Sequence, residues 1–147
     1  MLTMIVLAAT AIAASPVPAP PFEKGTWEKS LLLRPSANVK KDGVHEDIVH
    51  DVTVCHFAPP PPDDGLFFMP AMHRYCTAKS ANVGGGQASF SATCRLSGDR
   101  TLEVEGHGTY SATKYRLTVT GAISNGGENI PYTGAAYGRR TVSCSDK

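Results

Sequence analysis

The chain has 147 residues, 41% of them hydrophobic and 18% charged, with a formal net charge of +1. That is enough for one domain with a real core, and it excludes a disordered tail or a highly charged nucleic-acid arm. The basic residues are dispersed, with Lys40-Lys41 and Arg139-Arg140 the longest runs. Phosphate binding wants a clustered patch, so no nucleic-acid partner is expected.

Residues 1–15, MLTMIVLAATAIAAS, read as a signal peptide. An apolar run extends from Leu2 to Ala14, and Ala11 and Ala13 are the small residues ahead of a cleavage point. No Lys or Arg precedes the run, which counts against this reading. The run is short for a bilayer and prolines follow it, so no stable membrane span is expected after signal removal; the rival reading is an uncleaved anchor. Export to the periplasm changes the meaning of the four cysteines. In an oxidising compartment an even number reads first as disulfides.

Residues 16–24, beginning PVPAPP, form a proline-rich linker, and a single β domain is expected over 25–147. Trp27, the only tryptophan, stands beside a leucine run and reads as a core anchor rather than a ligand platform. Residues 34–43 have turn composition. In VHEDIVHDVTVC, Val44, Ile48, Val52 and Val54 share one parity, as one face of a strand requires. His45 and His50 resemble H-E-x-x-H but stand one residue too far apart, so they do not share a helix face.

The segment from His56 to about Tyr75 is irregular. Pro59 to Pro62 exclude helix and central strand, and an apolar LFFMPAM follows. Leu66, Phe67, Phe68, Met69 and Met72 are the candidate contacts for a ligand or partner. Two readings compete: a flap that covers an open end of the sheet, and the lip of a binding pocket.

Between Cys76 and Cys94 the chain reads CTAKSANVGGGQASFSATC, with the cysteines equidistant from Gly85. Folding back there sets Cys76 opposite Cys94, close enough for a disulfide, and leaves Cys55 for Cys144. Residues 102–110 and 114–123 alternate as strands. A turn at Asn125-Gly126-Gly127-Glu128 would pair Leu117 with Ala136, Val119 with Gly134, Gly121 with Tyr132 and Ile123 with Ile130. No stretch has helical periodicity. The fold class expected is all-β: an antiparallel up-and-down meander of about seven strands, a strongly curved sheet or partly open barrel, stapled by disulfides.

Catalytic patterns are missing from the sequence: there is no G-x-S-x-G, and the triple glycine lacks a following Lys. Cys55, His56, His73 and Cys76 have the composition of a zinc site, but in an exported chain the cysteines are better spent on each other. Neither a metal nor a cofactor is expected. Asp63-Asp64, Glu103/Glu105 and His107 read as solvated surface.

Taken in order, Gly25, Trp27 and Glu28 as G-x-W-E, the strand end at Cys55, the pair Cys76 and Cys94, and the closing run Gly138 to Cys144 resemble a family. It is the group of small exported proteins, chiefly from Gram-negative proteobacteria, catalogued as domain of unknown function 3617. The resemblance covers roughly residues 25–144. It implies export, a β fold and the cysteine framework, and transfers no catalytic residue. The functional expectation is a non-catalytic periplasmic binding or envelope-associated accessory module. Its partner would be a small apolar ligand under the LFFMPAM lid, or an envelope protein. The alternative is a hydrolase or metal-dependent enzyme using His56, His73 and carboxylates of the 56–75 loop.

Overall fold

The structure, a computed structural model, describes residues 19–36, 46–69 and 75–145. Residues 1–15, read above as a signal peptide, and His45, Met72 and His73 therefore lie outside the described residues. Seven strands make one antiparallel sheet: β1 (Gly25–Pro35), β2 (Ile48–His56), β3 (Cys76–Gly84), β4 (Gln87–Arg95), β5 (Thr101–Ser111), β6 (Lys114–Asn125) and β7 (Glu128–Arg140). Their order across the sheet is β2-β1-β7-β6-β5-β4-β3. Strands β3 to β7 form the expected meander. β7 then pairs with β1, and β2 lies outside β1 as one edge. The sheet curls into a half-barrel whose edges are β2 and β3.

Period-two alternation decides which side chains enter the concave side. Trp27, Leu31 and Leu33 of β1, Phe90 and Cys94 of β4, Leu102 and Val104 of β5, and Leu117 and Val119 of β6 are all buried there. Each fully buried aliphatic side chain contributes roughly 1.5–3 kcal/mol relative to exposure. The β6–β7 register pairs Leu117 with Ala136, Val119 with Gly134, Gly121 with Tyr132 and Ile123 with Ile130, as the turn position requires. Glycines leave room for rings on this face. A Cβ at Gly106 would collide with the Phe90 ring, and one at Gly138 with the Tyr115 ring.

The β3–β4 hairpin turns at Gly85 and Gly86, both at positive φ, with Gly84 opposite Gln87. That turn alone would not align the cysteines, because its centre lies half a residue past Gly85. A register shift between Ala78 and Ser80 absorbs one residue of β3 and brings Cys76 opposite Cys94. The shift also sets parity, so that Cys76 is buried while Thr77 is exposed. Both disulfides form, Cys76–Cys94 and Cys55–Cys144. The second ties β2 to the tail after β7, which is also held by Thr26 N donating to Val142 O at 2.7 Å and Thr141 N donating to Thr26 O at 2.8 Å.

The packed chain begins earlier than the proline-rich composition of 16–24 indicates. Phe22 is 1% exposed, and Glu23 N donates to Ala112 O at 2.9 Å. Pro16 to Pro18 lie outside the described residues, but Phe22 belongs to the core. Its ring contacts those of Trp27, Phe67, Phe68, Tyr110 and Tyr115, at centroid separations from 4.6 to 6.2 Å.

The β2–β3 connection leaves one edge of the sheet and returns at the other, so it must cross the open side of the half-barrel. Its apolar part forms a 3-10 turn, Gly65–Phe68, that plugs this opening. Asp64 caps the turn by accepting from Leu66 N at 3.1 Å, and Met69 N donates to Leu66 O at 3.0 Å. Phe67, Phe68 and Met69 are buried, and Phe68 stacks on Phe90 at 5.3 Å.

Candidate functional site

The parity that buries Trp27, Leu31 and Leu33 also carries Lys29 to the concave side, where it is 6% exposed. Among the described residues it is the buried charged side chain, and the plug explains how it is tolerated. The last carbonyls of a helical turn have no partner within the turn. Lys29 Nζ supplies one, donating to Phe67 O at 3.0 Å. It also lies 2.9 Å from His56 Nε2 and 3.7 Å from the centroid of the Phe67 ring. As an ammonium it donates to Nε2, which sets His56 as the neutral tautomer protonated on Nδ1. The amine thus joins three elements: β1, the end of β2 and the plug.

Burial dominates the protonation of both groups. It lowers Lys29 from its ordinary 10.5 to about 7, against a smaller upward pull from the Asp64 carboxylate. It lowers His56 from 6.5 to about 4, helped by the Lys29 charge and opposed by Asp64. An amine that titrates near neutrality beside a neutral imidazole has the protonation behaviour of a proton-transfer pair. Tyr115 is close by in the same ring cluster. Burial raises its phenol well above the usual range, and its hydroxyl has no hydrogen-bond partner among the described residues.

The outer face is different in kind. A groove of about 860 Å3 lies there, lined by three-residue stretches of β1, β2, β5, β6 and β7. The middle residues Lys29, Val52, Tyr110 and Tyr115 turn their side chains toward the core, and that of β7 is Gly138, so each contributes backbone to the floor. The flanking residues make the walls. Register sets them in two rows across the strands. Asp51, Ser30, Tyr137, Arg116 and Thr109 form one; Thr53, Glu28, Arg139, Lys114 and Ser111 form the other. Arg139 is engaged with Glu28, Nε and NH2 lying 2.8 and 2.7 Å from the same carboxylate oxygen. The Arg116 guanidinium lies 5.2 Å from the Tyr137 ring centroid, and Tyr137 is 40% exposed.

The residues singled out from sequence are redistributed by this arrangement. Phe67, Phe68 and Met69 are spent in the core and Leu66 is half-buried, so they present no flat aromatic patch to a partner. The concave side, where a small apolar ligand was expected, is filled by the rings of Phe22, Phe67 and Phe68. Cys55 and Cys76 are disulfide-bonded, which removes both sulfurs from the Cys-His set around His56. His50 faces Leu31 on the core side of β2, and His107 is exposed. Asp64 departs from its reading as solvated surface: it is half-buried and caps the plug. Lys29 was missed, although Trp27, Lys29, Leu31 and Leu33 share one parity and that pattern was open to view. The outer rows could not be seen, because they join residues up to 111 positions apart, as in the Glu28–Arg139 pair.

No family model, curated protein or solved structure matches this chain. The site's chemistry therefore rests on its own geometry.

Proposed function

We propose that the protein is an exported, non-catalytic binding module of the periplasm, and that its ligand sits on the outer face of the sheet. One observation carries this: the 860 Å3 groove is open to solvent and walled by charged, hydroxyl and aromatic side chains, while the opposite face is filled by the protein's own rings. The N-terminal apolar run, both disulfides and the likeness to domain of unknown function 3617 support export. Expressed with its first 15 residues, the chain should appear in the periplasmic fraction, shortened by the signal and four hydrogens lighter from its two disulfides. A full-length product with free thiols would overturn export. In an amide NMR screen of soluble fragments, shifts should cluster on β1, β6 and β7. Shifts confined to the plug would overturn the placement.

A second reading is enzymatic, in line with the alternative of a hydrolase that uses the 56–75 loop. It is favoured by the convergence of Lys29, His56 and Asp64 at one end of that loop. Hydrolysis of a simple ester that is abolished in both Lys29→Met and His56→Ala, with folding retained, would favour this reading over the first.

A further inference from the structure

We propose that the outer groove binds an acidic oligosaccharide, with its carboxylate on Lys114 and Arg116 and a sugar ring against Tyr137. This rests on the reading of that groove as the ligand site. The cations argue for the anion. Arg139 is neutralised by Glu28, but Lys114 and Arg116 have no ion-pair partner among the described residues. They stand two apart on one strand, on the same side, about 7 Å from each other along β6. An oxyanion between them meets both charges. Arg116 also lies by the Tyr137 ring, so an anion held there sets its carrier against an exposed aromatic face.

The place of the groove in the sheet argues for a sugar. Peptides most often dock on a sheet by adding a strand to an edge, where backbone groups are free. The cations and the ring of this groove stand on β6 and β7, which with β1 are interior strands whose backbone groups are paired on both sides; only its far end, at Asp51–Thr53, reaches the edge strand β2. Over most of its length it offers a peptide no ladder, and recognition falls to side chains. Those at the far end of the Arg116 row, Ser30 and Asp51, can accept hydrogen bonds from hydroxyl groups. Three strand spacings, about 14 Å, separate Asp51 from Arg116. The occupant is thus an extended molecule with an anion at one end, a ring in the middle and hydroxyls along its length. Two free cations are too few for a nucleic-acid backbone, whose binding grows with each phosphate neutralised.

The test is an amide NMR titration of the disulfide-bonded protein with tetragalacturonate, its methyl ester and tetraglutamate. The acid sugar is expected to shift groove amides, while the ester and the peptide bind at least five-fold more weakly. Arg116→Gln and Lys114→Gln are each expected to weaken the acid sugar about five-fold, as exposed charge contacts do, without change in thermal midpoint. Tyr137→Ala should weaken acid and ester alike. Equal binding of the peptide would overturn the sugar class and leave the groove as the site. Equal binding of the ester would overturn the role of the two cations. If fragments shift the groove amides but no sugar does, this inference fails and the groove reading survives. If neither sugars nor fragments shift them, both fail.

Discussion

The two faces of this sheet are built from the same strands and obey opposite rules. On the inner face several large side chains are matched by small ones: Leu117 by Ala136, Phe90 by Gly106, Tyr115 by Gly138. On the outer face most of the intervening residues are exposed, and their contacts include the Arg139–Glu28 ion pair and the Arg116 guanidinium over the Tyr137 ring. Stability therefore resides on the inner face, and the recognition we propose on the outer one. Lys29 is the exception that joins them: a hydrophilic group on the inner face, held by the plug that closes it.

The comparison can be broken or sharpened by substitution. The largest effect is expected from the cross-link rather than from either face. Replacing Cys55 and Cys144 with Ser opens a loop with a sequence separation of 89. Loop entropy alone predicts a loss of about 4–5 kcal/mol in chemical denaturation of the oxidised protein. A loss below about 1 kcal/mol would mean that the tail is held by its backbone bonds instead.

Next is Phe68→Ala, which empties a site between Phe90 and Tyr115. The expected loss is about 3–5 kcal/mol, large against a total of about 5–15 kcal/mol for a domain. Little change would show that the plug is a loose cover and that the inner face accommodates other molecules.

Lys29 should make stability depend on pH. Its folded value, about 7, lies below its ordinary 10.5, so between these values the unfolded chain holds a proton that the folded chain does not. The Lys29 contribution to stability should be fully present above pH 10.5 and be lost as pH drops toward 7. His56 extends the decline between 6.5 and about 4, for the same reason. Lys29→Met should flatten the slope between pH 7 and 10, measured by urea denaturation at several pH values. An unchanged slope would show that the amine is solvated in solution. The smallest effect is expected from Tyr137→Ala, which should change stability by less than about 0.5 kcal/mol while removing the ring from the groove.

Much of the inner face was legible because its cause is local. Alternation along 102–110 and 114–123 placed Leu102, Val104, Leu117 and Val119 inward, and the Asn125–Glu128 turn fixed the β6–β7 register to the residue. The opposition of Cys76 and Cys94 was also read, though from a turn centred on Gly85. The true turn is displaced by half a residue, and the shift near Ala78 restores the pairing. That compensation left no mark in the spacing. Lys29 was legible in principle, from the parity of Trp27 and Leu31, but a lysine in a leucine run reads as a strand's wet side until the strand's neighbours are known.

By itself, then, the sequence determined strands, their inward faces, two hairpin turns and a cysteine set ready to pair. All follow from period two and from glycine's access to positive φ, which act over a few residues. Tertiary structure decided the rest through a single long-range event, the pairing of β1 with β7. That pairing places β2 at the edge opposite β3 and sets the plug, Gly65–Phe68, across the open side. There the Phe67 carbonyl meets the Lys29 amine. The same event sets Glu28 beside Arg139 and Ser30 beside Tyr137 on the outer face. Contacts between residues a hundred positions apart depend on which strands become neighbours, and no local pattern encodes that choice.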